Sequence, residues 1–192
     1  MSEFPIPLIG FCALSGTGKT TLLSAILPLL KERGMRVGAI KHAHHRFEVD
    51  YPDKDSYRLR KAGAEQMLVA SRNRVALIEE RALSSREPTL SELLQRMDSS
   101  RLDMILVEGF KREHFPKIEL HRPLLGHPLR YPHDPDIIAV ASDLPLNTTP
   151  CHLPLLDLNQ PRQVVDFLLL HFFHRQYPTP NNHGYPLRQK HL

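Results

Sequence analysis

Nine residues, Ala13-Leu14-Ser15-Gly16-Thr17-Gly18-Lys19-Thr20-Thr21, restrict what this chain can fold into more than any other stretch. An apolar run from Ile6 to Leu14, interrupted by Pro7, precedes them, and Leu22 to Leu30 follows, so the order reads strand, tight loop, helix. Gly16 and Gly18 let consecutive N–H groups turn inward and form a concave anion site, to which the start of the helix adds partial positive charge. Lys19 is spaced to reach terminal phosphates, and the Thr20 hydroxyl to bind magnesium. Ser15, Gly16, Thr17, Gly18, Lys19, Thr20 and Thr21 are therefore the candidate nucleotide-binding residues, with a magnesium nucleoside triphosphate as ligand. The G-x-x-x-x-G-K-[ST] pattern has glycine where Ala13 stands, and alanine is the smallest replacement.

The 192-residue length suits one domain of ordinary size, expected over residues 1–174, with 175–192 as a loosely ordered tail rich in proline and asparagine. Hydrophobic residues at 41% and charged residues at 24% argue for a packed core over disorder. No apolar run approaches a membrane span, and Met1-Ser2-Glu3-Phe4-Pro5 lacks the basic-then-apolar layout of a secretion signal, so no membrane partner and a cytoplasmic location are expected. The net charge of +4 comes from scattered Lys and Arg residues without a basic block, which argues against a nucleic-acid partner. Cys12 and Cys151 lie far apart, and Cys12, on the apolar strand, reads as a small buried side chain.

A helix is expected over Thr20 to Arg33, kinked at Pro28, then a strand over Met35 to Ile40 ending at Lys41. Strand, helix, strand is a crossover unit of a parallel sheet, whose ligands bind at the carboxyl ends of the strands, so Lys41 faces the same edge as the phosphate loop. The polar stretch from Lys41 to Ser56 carries His42, His44 and His45, but no nearby cysteine or regularly spaced fourth ligand completes a zinc site, and phosphate or substrate contact is the favoured use. A short helix over Ser56 to Ala62 follows, then Gln66 to Ser71 and Arg74 to Glu79 as a hairpin around Arg72-Asn73, an antiparallel addition to a mostly parallel sheet. Thr89-Leu90-Ser91-Glu92 matches a capping box for a helix to about Met97.

Leu102 to Gly109 is the second chemical signature: a buried strand whose apolar run stops at Glu108, a carboxylate placed to serve the magnesium shell, with Gly109 leaving room for phosphate and water. After a strand over Ile118 to His121, the Pro-, His- and Gly-rich stretch Arg122 to Pro135 reads as a mobile loop, either a flap or an ordinary excursion. A strand over Ile137 to Ala141 leads into Ser142-Asp143-Leu144-Pro145, where a purine base would lie. Asp143 can accept from the guanine N1–H and exocyclic amine, or merely begin the turn before Pro145. A strand over Leu153 to Leu158 and a helix to about His174 complete the domain.

Ser15 to Leu23, Ile40 to His45, Asp53 to Ala64, Leu106 to Lys111 and Ile138 to Leu146 together closely resemble the MobB family of molybdopterin-guanine dinucleotide biosynthesis adapters, over about residues 6 to 172. The resemblance implies an α/β, three-layer P-loop NTPase fold, binding and weak hydrolysis of GTP, a homodimer, and assistance to the guanylyltransferase that joins molybdopterin to GMP. It also implies that Thr20, Asp55 and Glu108 surround magnesium, with Asp50 and Asp53 as substitutes for Asp55, that Lys41 touches the terminal phosphate, and that residues 141–145 meet the base. Lys19, Lys41 and Glu108 are the candidate catalytic residues. A P-loop kinase or ligase that passes phosphate from ATP or GTP to a small acceptor is the alternative.

Overall fold

The computed structural model describes residues 4–43, 47–81, 86–146 and 151–173. In chain order the elements are β1 (Leu8–Cys12), α1 (Lys19–Glu32), β2 (Val37–Lys41), α2 (Asp55–Lys61), β3 (Gln66–Ser71), β4 (Arg74–Glu79), α3 (Leu90–Leu94), β5 (Met104–Glu108), β6 (Lys117–His121), β7 (Ile137–Ser142), β8 (Leu155–Asp157) and α4 (Pro161–Phe173). They fall into two compact units, residues 1–42 with 90–192, and residues 43–89.

The first unit is built on a six-stranded sheet in the order β2-β5-β1-β6-β7-β8, with every neighbouring pair parallel. Such a sheet is covered on both faces, and β5 shows how. Its successive side chains alternate between two cores: Met104 and Leu106 join α1 and α4 on one side, while Ile105 and Val107 join α3 on the other. Leu22, Ile26 and Leu30, spaced four apart along α1, and Val164, Val165, Leu168 and Leu169 of α4 supply the helical side of the larger core. Three layers result, as expected.

Helix α1 continues without a break through Pro28, which lies on its exposed face, where water can take the carbonyl that proline leaves without a donor. Several elements are shorter than the apolar runs suggest. Leu14 belongs to the loop after β1 and is 40% exposed, and the helix expected to reach Met97 stops at Leu94.

The stretch from Arg122 to Pro135, expected to be mobile, is instead tied to the sheet. It forms 3-10 turns at Pro123–Leu125 and Tyr131–His133, and the buried Glu119 carboxylate accepts from Arg130 N (2.8 Å) and Tyr131 N (2.9 Å). Lys117, also on β6 and 1% exposed, pairs with Asp136 at 3.2 Å and Asp134 at 3.6 Å. Buried charges need such partners, and here the loop supplies them.

The second unit holds α2 and the antiparallel hairpin β3–β4, in register from Gln66 opposite Glu79 to Ser71 opposite Arg74. The buried Arg60 of α2 gathers Glu48 (3.0 Å), Glu80 and, at 3.8 Å, Asp50. By contrast, Leu68, Val69, Val75 and Leu77 of the hairpin are all exposed.

Candidate functional site

Parallel pairing brings one end of every strand in the first unit to a common edge. Lys41 lies opposite Glu108, Glu108 opposite Phe11, Cys12 opposite Glu119, and His121 opposite Ser142. The loop after β1 therefore opens between the ends of β5 and β6, with the base-side turn after β7 one strand further on.

Within that loop Gly16 (φ 81°) and Gly18 (φ 100°) take left-handed angles that other residues adopt at a cost. Ala13 does not, which explains why alanine serves at the first position of the pattern: the chain there needs no glycine angle. Thr17 turns its hydroxyl back onto Leu14 O at 2.9 Å and is buried, so the side chain braces the loop from inside. The N–H groups of Ser15, Gly16 and Gly18 have no hydrogen-bond partner among the described residues. Lys19 Nζ folds over the loop and donates to Ala13 O (3.2 Å) and Leu14 O (3.3 Å). Burial, and after it the charge of Lys111, hold the Lys19 ammonium below the ordinary lysine value. Unbonded amides and a partly desolvated cation are the donors that an anion site requires.

Glu108 ends β5 half-shielded from solvent and pairs with Lys41 Nζ at 3.4 Å, so two of the sequence-predicted residues meet in the first unit. Gly109 takes a left-handed angle (φ 109°) and packs closely on His42. A Cβ there would lie 2.5 Å from the Cβ of His42, so the missing side chain makes room for His42, whose ring stacks on Phe110 with 4.7 Å between centroids. Phe110 itself has a positive φ of 50°, uncommon for a bulky residue, and is held there in the smaller core.

The donor set suits magnesium, a hard cation that prefers oxygen ligands and keeps several waters. Thr20 and Glu108 offer a hydroxyl and a carboxylate from the first unit. Among the described residues no three His, Cys, Asp or Glu side chains gather as a metal cluster, so an ion here would depend on water and on nucleotide oxygens for the rest of its shell. Asp55 begins α2 in the second unit with its side chain 95% exposed, whereas Asp50 is already drawn toward Arg60. His44 and His45 lie outside the described residues.

Asp143 follows β7 in a turn closed by the Ser142 hydroxyl, which donates to Leu144 O at 2.7 Å. One carboxylate oxygen, Oδ2, accepts from Arg122 NH1 at 2.5 Å; the other, Oδ1, is buried without a hydrogen-bond partner among the described residues. Arg122 is the residue that reading the sequence missed. It is the first residue after β6, in a stretch whose prolines and glycine suggest only a loop, and nothing in its local pattern marks it as part of a site.

Residues 8–143 match the family described as MobB, Molybdopterin guanine dinucleotide synthesis protein B. The Molybdopterin-guanine dinucleotide biosynthesis adapter protein of Escherichia coli (strain K12) is 52% identical over 165 residues, 85% of this chain and 92% of that one. Its namesake from Haemophilus influenzae is 42% identical over 172 residues, 88% of this chain and 92% of that one. The crystal structure of Bacillus subtilis MobB is similar with a TM-score of 0.68 and 25% identity, covering 87% of this chain and 98% of that one.

Proposed function

Since the chain belongs to the MobB family, we propose that it is an adapter in molybdopterin-guanine dinucleotide biosynthesis that binds magnesium GTP on residues 15–21 and hydrolyses it slowly. The observation that carries the nucleotide reading is the loop after β1, with three unbonded N–H groups and the Lys19 ammonium turned over it at the carboxyl edge of a parallel sheet.

The residues divide the work simply. Loop amides and the α1 N-terminus take the phosphates, Lys19 exchanges its two carbonyl acceptors for phosphate oxygens, and Lys41 leaves Glu108 for the terminal phosphate. Thr20 and Glu108 would hold magnesium, which when bound would supply charge neutralisation between the phosphates. Asp143 reads the guanine through N1–H and the exocyclic amine. This set positions and neutralises but provides no group to orient an attacking water, so slow turnover follows, rising when the guanylyltransferase partner completes the site.

The exposed apolar hairpin of the second unit supports a homodimer, since Leu68 and Leu77 lie opposite each other at 62% and 56% exposure. Among the described residues no helix is long and apolar enough to cross a membrane.

Titration calorimetry with GTP and ATP in the presence of magnesium, followed by product analysis, tests the proposal. The expected result is preferential GTP binding with slow release of inorganic phosphate. Partner-free turnover at kinase-like rates of about 1–100 per second, or a phosphorylated acceptor, would overturn it.

A further inference from the structure

Arg122 touches both halves of the proposed site. Its Nε donates to Thr17 O at 2.9 Å, its NH1 donates to Asp143 Oδ2 at 2.5 Å, and its NH2 lies beside Gly18, 3.6 Å from where a Cβ on that residue would stand. The side chain is one-third exposed and Asp143 less than half as much, so neither contact is a loose surface pairing.

The contact with Thr17 has a geometric consequence. The carbonyl of Thr17 and the N–H of Gly18 belong to one planar trans peptide, and point to opposite sides of it. A donor that holds the carbonyl outward therefore turns the Gly18 N–H toward the hollow of the loop, and that N–H has no partner among the described residues. A second consequence arises at Asp143. The fork of a guanidinium fixes the carboxylate's direction as well as its charge, and leaves Oδ1 as a buried acceptor that the described residues do not satisfy. Buried acceptors without donors are costly, and a ligand donor removes that cost.

We propose that Arg122 is a positioning residue that couples phosphate binding to base recognition: one guanidinium presets the Gly18 amide for phosphate and the Asp143 carboxylate for guanine. The inference rests on the reading of the site as a GTP site and adds to it a residue outside the phosphate loop. The 122–135 segment is held down at its far end by Glu119, so the arginine enters the site from an anchored strand end.

The test compares GTP, ITP and ATP affinities by calorimetry for the unaltered protein, Arg122→Ala, Arg122→Lys and Asp143→Ala, with thermal melts confirming that each is folded. ITP lacks the exocyclic amine of guanine and isolates that contact. For Arg122→Ala, ATP affinity is expected to fall about tenfold, and GTP affinity by a further factor of about ten, on the scale of one charge-assisted hydrogen bond for each half. The GTP-to-ATP and GTP-to-ITP ratios should thus collapse to those of Asp143→Ala, and a variant carrying both Arg122→Ala and Asp143→Ala should lose no further selectivity. Arg122→Lys keeps the charge but lacks the fork that spans two acceptors, so its selectivity should fall as well.

An equal loss for all three nucleotides, which mere support of the loop would produce, overturns the coupling. So does a loss confined to GTP, or full activity of the lysine variant in both ratios. Failure of the underlying GTP reading would be visible separately, as absence of guanine preference in the unaltered protein.

Discussion

The carboxyl edge of the parallel sheet and the β3–β4 hairpin treat their side chains in opposite ways. At the sheet edge Lys19, Lys41, Glu108, Arg122 and Asp143 all have polar partners within the first unit, while several loop N–H groups have none among the described residues. On the hairpin, residues 66–71 pair in register with 74–79, and the apolar side chains are left to solvent. Unbonded amides in a hollow suit a small anion, whereas exposed leucines and valines on a flat ribbon suit another protein surface. The contrast separates the proposed ligand site from the proposed assembly surface within one chain.

The strongest way to break this comparison is Lys19→Ala. Nucleotide affinity should fall about 100-fold, the scale of losing charge-assisted contacts to phosphate, with the melting temperature little changed. Unchanged binding by calorimetry would falsify the role of the loop.

On the hairpin side, Leu68→Asp with Leu77→Asp should weaken self-association by about tenfold or more, because like charges directly opposite each other disfavour a buried interface. Sedimentation over a range of concentrations reads this out, and nucleotide affinity should be unaffected. Equal loss of both properties would remove the distinction between the two surfaces.

A smaller effect sharpens the internal basis of the second unit. Arg60→Ala should speed amide exchange in β3 and β4 about fivefold, on the scale of partly solvated ion pairs, and leave the sheet of the first unit protected. The hydrogen bond from Arg60 holds the Glu48 carboxyl below its usual range. A lowered folded pKa contributes stability above the unfolded value and loses it as pH falls through the folded one, so in acid the hairpin should lose protection earlier than the sheet. Exchange rates at the hairpin that ignore both pH and the substitution would count against this account.

The finest distinction concerns the thiols. Burial, with the nearby Glu119 carboxylate, pushes Cys12 up to about 12, while Cys151 is half-buried. At pH 8 alkylation of Cys12 should be slower than that of Cys151, and mass spectrometry of timed samples reports the order.

Much of the fold was legible because its signals are local. The Gly16-Thr17-Gly18-Lys19 turn, the apolar run ending at Glu108 and the hairpin around Arg72-Asn73 each specify their own geometry, and each is where the pattern places it. The shortening of β1 and α3 was not legible, since an apolar residue such as Leu14 reads the same whether it ends a strand or lines a loop. Nor was the packing of Gly109 against His42, which is 67 residues away.

By itself, then, the order of residues determined the phosphate loop, the crossover unit and the family to which the chain belongs. Only tertiary structure decided that Lys41 pairs with Glu108, that the 122–135 segment is anchored to β6, and that Arg122 joins Thr17 to Asp143. The physical reason is range. Backbone angles and hydrophobic period act over a few neighbouring residues, whereas a hydrogen bond between positions 105 apart, or an ion pair between positions 21 apart, exists only after the strands have chosen their order.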